Sequence, residues 1–271
     1  MSANLPSDFF IFTSIRFEPN LTEDDVNLPY YLLPFHLLRL RDAAAEFQLV
    51  HVQQLLQDDE AGIQLLKTAV DDAVTDRTQS WRVNVKIHPD CKISTMTTQL
   101  KPLSHEIVKL PSGRTADDLV QFLQGEREAR NLPIWDVLVD TVATPRSRFT
   151  GHKTSVRGMY NEARDRAGLV SYEEPRETLL WNEEGQVTEG SITTVYVWRG
   201  RNGTENGYLA TPPLSTGCNA SSTRRYALSK GLCVEEAVDV SELAEGEEVW
   251  LSHASDGFFP GKIRRSRVSK E

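Results

Sequence analysis

The spacing of apolar and polar side chains changes from period two to a helical period along the N-terminal part of the chain. Aromatic and branched residues alternate at 9–17 and predict a strand. Leucines then recur three or four positions apart from Leu33 and predict an amphipathic helix that reaches Phe47. A second helix is expected at 61–76, and residues 81–87 and 92–99 predict a β-hairpin that turns at 88–90.

The C-terminal part has short apolar runs that are typical of a sheet. Strands are predicted at 135–144, 178–181, 192–198, 248–252 and 257–263, and a helix is predicted at 154–167, ended by Gly168. Between the two parts, residues 102–133 are polar and broken by proline and glycine. We therefore predict a mixed α/β chain with a small N-terminal domain (1–105), an interdomain linker region (106–134) and a larger sheet-rich C-terminal domain (135–271).

Composition narrows the class of protein further. The chain has 271 residues and a formal net charge of -9, which argues against nonspecific binding to nucleic acid or to an anionic membrane. Its three cysteines form no CxxC pair, so neither a disulfide framework nor a metal cluster is predicted. The sequence contains no long apolar run and no secretory leader pattern, and we expect a cytoplasmic protein.

Two short runs carry the candidate chemistry, His152-Lys-Thr-Ser-Val-Arg157 and Glu189-Gly-Ser-Ile-Thr-Thr-Val-Tyr-Val197. A lysine amine can form an imine and later move a proton between carbon atoms. A buried carboxylate needs a partner, and it can hold a nearby ring nitrogen in its protonated form. Lys153 and Glu189 therefore suggest one cofactor held at two ends, although either residue could also be an ordinary surface side chain.

The segment 179–198 resembles the signature of the class IV aminotransferases, which are pyridoxal phosphate enzymes of fold type IV. The resemblance extends over most of the chain, through Phe12-Thr-Ser-Ile-Arg16, His36-Leu-Leu-Arg-Leu40, Thr211-Pro-Pro and Ser222-Thr-Arg224. It implies that Lys153 carries pyridoxal 5'-phosphate as a Schiff base, that Glu189 pairs with the ring nitrogen, and that the protein is a homodimer. The motif departs at Thr194, where the family usually has asparagine.

A cofactor phosphate requires a fixed positive group and backbone donors at a helix N-terminus. Arg39 matches the arginine that binds the phosphate in the family, and a helix start near Ser222 and Thr223 would present amides and hydroxyls. The alternatives are a surface arginine at 39 and simple helix capping at 222–223.

Three residues are weaker candidates for the substrate side. Arg16 follows a strand that lines the substrate pocket in the resembled family. Arg157 and Tyr160 follow Lys153 on the predicted helix and could face the cofactor or a substrate carboxylate. Core packing is the alternative role for Tyr160.

The leading functional hypothesis is a pyridoxal phosphate-dependent aminotransferase, which moves an amino group from an amino acid or amine to a keto acid through Lys153. The alternative is an aminodeoxychorismate lyase, which uses the same imine but eliminates pyruvate to give 4-aminobenzoate. A third hypothesis is a noncatalytic relative that retains only the fold.

Overall fold

The computed structural model describes residues 5–19, 21, 29–102, 133–200 and 207–265. The chain divides into two compact units, each built from separate segments. The first unit comprises Met1–Ile107, His152–Val156 and Ala220–Tyr226, and the second comprises Val108–Gly151, Arg157–Asn219 and Ala227–Glu271. All but the last two residues of the predicted linker at 106–134 lie outside the described residues.

The first unit interleaves helices and strands, as its sequence pattern predicts. Its described elements are β1 (Ile11–Phe17), α1 (Leu33–Glu46), α2 (Val50–Leu56), α3 (Asp59–Ala73), β2 (Ser80–Ile87) and β3 (Ile93–Leu100). Within the described residues the strands form an antiparallel sheet in the order β1-β2-β3. The predicted β2–β3 hairpin is confirmed.

The apolar face of α1 contributes to the core of this unit. Leu33, Leu37, Leu40 and Ala44 recur on one face and are buried, and α1 packs against β1. Burying a leucine side chain stabilises the fold by roughly 1.5–3 kcal/mol, so this face holds the helix on the sheet. Arg39, between two of these leucines in sequence, is therefore carried on a rigid element.

The short segment His152–Val156 joins the first unit as an extended chain. The Phe12 N–H donates to the Lys153 carbonyl (3.0 Å), and the Ser155 N–H donates to the Phe10 carbonyl (2.9 Å). Thr154 forms a β-bridge with Ile11. The predicted start of a helix at 154 is therefore wrong, because this backbone is paired with β1 and its neighbouring residues instead of with a helical turn.

The second unit is dominated by a sheet. Its elements are β4 (Trp135–Val139), α4 (Arg148–Gly151), α5 (Gly158–Arg166), β5 (Arg176–Trp181), β6 (Val187–Gly190), β7 (Thr194–Arg199), β8 (Tyr208–Thr211), β9 (Val234–Glu235), β10 (Glu248–His253) and β11 (Gly257–Arg265). The described strands are ordered β6-β5-β4-β11-β10-β7-β8-β9. One further helix, α6 (Ser222–Ser229), begins in the segment assigned to the first unit.

Several strand boundaries in the second unit differ from the sequence prediction, and the contacts explain two of them. β4 ends at Val139 because the carboxylate of Asp140 turns to accept hydrogen bonds from the Thr141 N–H and from Arg166. β7 begins at Thr194 and not at 192, because residues 191–193 form a turn held by a buried carboxylate. The core of this sheet is a cluster of aliphatic side chains that includes Val137, Val195 and Leu251.

Candidate active site

Lys153 is held by its backbone and is carried by the first unit. Its carbonyl accepts the Phe12 N–H of β1, which anchors the residue to a buried strand. Its ammonium nitrogen lies 5.0 Å from the centroid of the Phe12 ring, within the range of a cation–π contact. The sheet therefore fixes the position from which the side chain extends.

The charges of Lys153 and Arg39 both act on one buried histidine, His36. His36 is fully buried, and its Nδ1 lies 2.6 Å from the Thr13 Oγ1. Burial is the main cause that lowers the pKa of His36 to about 3, and the positive charges of Arg39 and Lys153 lower it further. His36 is therefore neutral at physiological pH, and the positive charge beside it belongs to the lysine and the arginine.

His152, next to Lys153 in sequence, also belongs to this environment. Burial lowers its pKa, the nearby charges of Arg39 and Arg225 lower it further, and those of Glu46 and Asp42 oppose the change. Its ring contacts Phe47 edge-on. His152 is therefore a neutral imidazole that packs on an aromatic ring, and it does not add a second cation next to Lys153.

The structure confirms a helix start at Ser222 and Thr223. α6 begins at Ser222, and both side chains are buried. The Arg224 N–H donates to Ser221 Oγ (3.1 Å), so Ser221 makes an N-terminal capping contact. This supports the assignment of Ser222 and Thr223 to phosphate binding, which stays a prediction. Both residues belong to the same unit as Arg39 and Lys153.

Arg16 lies in the interior of the first unit. Its guanidinium is fully buried and donates twice to Glu18 Oε2, at 3.0 Å from Nε and 2.6 Å from Nη2. Nη2 also donates to the Lys101 carbonyl (2.8 Å), and Ser80 Oγ donates to the same Glu18 oxygen (2.8 Å). These contacts give Arg16 a structural role, and its role in substrate recognition stays a prediction without support from the geometry.

Glu189 lies near the end of β6 in the second unit, and it is buried, with 7% of its surface exposed. The Tyr160 hydroxyl lies 2.6 Å from Glu189 Oε1 and 3.0 Å from the Thr150 carbonyl oxygen. The expected burial of Glu189 is therefore confirmed. A carboxylate that accepts a hydrogen bond from a hydroxyl stays ionised more readily than one that does not, which suits a partner of a protonated ring nitrogen.

Arg157 and Tyr160 flank Glu189 and the turn that follows it. The Arg157 guanidinium lies 4.5 Å from the centroid of the Tyr160 ring, and its Nη2 donates to the Ser191 carbonyl (2.7 Å). Both contacts are made at the N-terminus of α5, where Arg157 is the residue that precedes the helix. These contacts join Arg157 and Tyr160 to Ser191, to Glu189 and to each other. Their predicted contacts with substrate stay untested.

Glu177 is the residue of this region that sequence reasoning missed. It is fully buried in β5, and within the described residues its Oε1 accepts from the N–H groups of Thr178 (2.9 Å) and Ser191 (3.0 Å) and from Ser191 Oγ (2.6 Å). Its Oε2 accepts from the Ile192 N–H (3.1 Å) and from Thr193 Oγ1 (2.8 Å). The available signal was an acidic residue directly before the apolar run of a predicted strand.

Gly190 lets this turn approach the carboxylate closely. A Cβ at position 190 would lie 2.1 Å from Thr193 Oγ1 and 2.6 Å from Glu177 Oε2, distances that atoms cannot occupy without moving. The glycine that follows Glu189 is therefore required by packing, although its backbone conformation is not left-handed. Together, Glu177 and Gly190 set the path of the chain on the C-terminal side of Glu189.

The donor groups match the chemistry of pyridoxal phosphate. The first unit supplies an amine at Lys153, a nearly buried guanidinium at Arg39, and a helix N-terminus at Ser222. The second unit supplies a buried carboxylate at Glu189. The amine is complementary to an aldehyde, the guanidinium and the helix N-terminus to a phosphate, and the carboxylate to a basic ring nitrogen.

Comparison with known proteins agrees with this assignment of chemistry. The family profile for amino-transferase class IV matches residues 11–263. Aminodeoxychorismate lyase from Saccharomyces cerevisiae is 35% identical over 141 residues, which cover 48% of this chain but only 37% of the yeast protein. The match therefore spans well under half of that relative.

Solved structures share the fold at low sequence identity. A protein from Mesorhizobium loti, provisionally named an amino-acid aminotransferase, has a TM-score of 0.63 and 21% identity and covers 95% of this chain and 100% of its own. A hypothetical aminotransferase from Mycobacterium tuberculosis in its pyridoxal phosphate-bound form has a TM-score of 0.57 and 14% identity. The match covers 96% of this chain and 85% of the Mycobacterium chain.

These findings define the class of protein as a pyridoxal phosphate enzyme with the α/β architecture of fold type IV. The chain belongs to the class IV aminotransferase family. The predicted family, fold class and cofactor are thereby confirmed. Among the residues that the structure describes, no helix is long and apolar enough to cross a membrane.

Proposed function

We propose that this protein uses pyridoxal phosphate to transform an amino substrate through Lys153, and that it acts as an aminotransferase or as the related lyase. One observation carries the proposal. Lys153 and Arg39 are far apart in sequence, yet both belong to the first unit. There the Lys153 carbonyl accepts the Phe12 N–H of β1, and His36, one helical turn before Arg39 on α1, lies with its Nδ1 2.6 Å from Oγ1 of Thr13 on the same strand. This concentration of positive charge in the first unit suits a ligand with a phosphate and an aldehyde.

Each predicted residue then has a defined task. Bound pyridoxal phosphate would supply an electron-withdrawing ring that stabilises negative charge at the substrate carbon. Lys153 would bond to the aldehyde carbon and, once released, would move a proton to or from the substrate. Arg39 and the N-terminal amides of α6 would bind the phosphate, and Glu189 would hold the proton of the ring nitrogen.

In the first candidate reaction, an amino acid or amine gives its amino group to a keto acid. The family profile supports this reaction class over most of the chain. The product of the first half-reaction would retain the amino group on the protein, and a keto acid would then have to collect it.

In the second candidate reaction, aminodeoxychorismate loses pyruvate and leaves 4-aminobenzoate. The specific observation in its favour is the 35% identity with the yeast aminodeoxychorismate lyase, a higher identity than that of the solved structures named above. This reaction would complete its turnover with one substrate, because the protein retains no amino group.

The cofactor assignment is tested by the visible absorption of purified protein with added pyridoxal phosphate, in the wild type and in Lys153→Ala. We expect a lysine-dependent band that is lost in the variant. Lys86→Ala is a matched control, because Lys86 also places its ammonium over a β1 aromatic ring, 5.1 Å from the Phe10 centroid. A band that survives in Lys153→Ala but disappears in Lys86→Ala would overturn the assignment.

A single-turnover experiment separates the two reactions. Stoichiometric aminodeoxychorismate that yields pyruvate and 4-aminobenzoate without any keto acid would establish the lyase. An amino acid or amine that bleaches the band, followed by recovery on addition of a keto acid, would establish the aminotransferase. A colourless protein that neither binds added pyridoxal phosphate nor shows the band would instead support the third hypothesis, a noncatalytic relative.

A further inference from the structure

Tyr160 has a contact that the proposed function does not by itself explain. Its hydroxyl has one hydrogen and two nearby acceptors, Glu189 Oε1 at 2.6 Å and the Thr150 carbonyl at 3.0 Å. The carboxylate is the nearer acceptor and is charged, so it is the stronger partner. The Tyr160 hydroxyl therefore donates a hydrogen bond to the Glu189 carboxylate.

The ring of Tyr160 is fixed on its other sides. It packs with Ala163 and Leu180 in a small apolar cluster, and the Arg157 guanidinium lies over its face. Only 4% of the residue is exposed. Because these contacts hold the ring in place, the direction of the hydroxyl toward Glu189 is set by packing and does not depend on a mobile side chain.

We propose that Tyr160 is a positioning residue that keeps Glu189 ionised and thereby keeps the shared proton on the ring nitrogen of the cofactor. This inference rests on the proposed function, in which Glu189 pairs with that nitrogen. A hydroxyl that donates to a carboxylate stabilises its charged form and makes it a weaker base. A weaker base leaves the proton on the nitrogen, where it supports the electron-withdrawing ring.

A purely structural Tyr160 would behave differently. Loss of its hydroxyl would then lower the stability of the second unit without changing where the proton resides. Nitrogen NMR of pyridoxal phosphate labelled at its ring nitrogen distinguishes the two roles, because the resonance reports protonation directly and does not depend on turnover. The proteins to compare are the wild type, Tyr160→Phe and a control.

Tyr196→Phe is the matched control. Tyr196 is also buried in the second unit, and its hydroxyl lies 2.9 Å from Ser252 Oγ. We expect a protonated ring nitrogen in the wild type and in Tyr196→Phe. In Tyr160→Phe we expect the ratio of protonated to unprotonated nitrogen to fall about tenfold, the effect of losing one hydrogen bond to a charged group.

The outcomes separate this inference from the proposed function. If Tyr160→Phe binds the cofactor and its resonance equals that of the wild type, the inference is overturned while the proposed function stands. If wild-type protein binds no labelled cofactor, both are overturned. Should Tyr160→Phe fail to fold, Tyr160→Leu keeps apolar packing against Ala163 and Leu180 and lacks the hydroxyl. For it we expect the same fall in the ratio of protonated to unprotonated nitrogen.

Discussion

Replacing Glu177 by glutamine tests whether this buried carboxylate organises the turn after Glu189. Glutamine has nearly the same shape, but one of its two terminal groups becomes an NH₂ that cannot accept hydrogen bonds. The better orientation keeps the oxygen at the position that accepts from Thr178 and Ser191. The NH₂ then faces the Ile192 N–H, and these two donors repel each other.

The magnitude follows from the bonds that change. Leaving the Ile192 N–H without an acceptor costs about 1–3 kcal/mol, and the retained bonds weaken because their acceptor is no longer charged. Removing a buried charge offsets part of this loss. We therefore expect Glu177→Gln to lower the unfolding free energy by about 3 kcal/mol.

Urea unfolding followed by tryptophan fluorescence is a suitable assay, because four of the five tryptophans, at positions 135, 181, 198 and 250, lie in segments of the second unit. Glu174→Gln is the matched control. Glu174 also accepts backbone N–H groups, from Val170 and Ser171, but its side chain is partly exposed to solvent, where we expect a much smaller loss. A loss in Glu177→Gln no larger than that in the control would refute the reasoning.

Four further predictions test other parts of the structure. Gly190→Ala should destabilise the protein by about 1–3 kcal/mol through overpacking, whereas Gly158→Ala, with open space around it, should not. Because the pKa of His36 in the folded protein, about 3, is below its ordinary value of 6.5, the unfolded state binds more protons as pH falls. The free energy of unfolding should therefore fall by about 1.4 kcal/mol for each pH unit as the pH is lowered from 6.5 to 3. His36→Gln should make this dependence shallower in urea titrations at acid pH. Arg16→Met should cost about 3–5 kcal/mol by leaving Glu18 buried without its partner, and Arg16→Met with Glu18→Gln should recover part of that loss in thermal unfolding. The homodimer that the family resemblance implies predicts a doubled mass in light scattering, and a monomeric mass at micromolar concentration would contradict it.

Much of the fold could be read from local patterns. The apolar face of α1 and the β2–β3 hairpin depend on side chains that are neighbours in sequence, and both are present in the structure. The start of the helix after Lys153 could not be read in this way. Its residues have a helical spacing of apolar side chains, but the backbone at 153–155 bonds to β1, which is distant in sequence.

The candidate site also combines residues that the sequence predicts with residues that only the structure reveals. The motifs predicted Lys153 and Glu189 as site residues, because an amine and a carboxylate in a family signature indicate a chemistry by residue type alone. The roles of Glu177 and Tyr160 did not follow from sequence. A glutamate before an apolar strand and a tyrosine on a helix are common, and only the contacts in the structure show that Tyr160 bonds to Glu189 and that Glu177 bonds to the turn after it.

The sequence by itself determined most of the secondary structure, since this depends on residue type and short-range spacing, and its resemblance to a known family gave the family and the cofactor. Tertiary structure decided which distant segments form each unit, and it placed Arg39 and Lys153 in one electrostatic environment. It also decided that Arg16 pairs with Glu18 in the interior. The physical reason is that charge and hydrogen bonding act over distances in space, whereas periodicity records only distances along the chain.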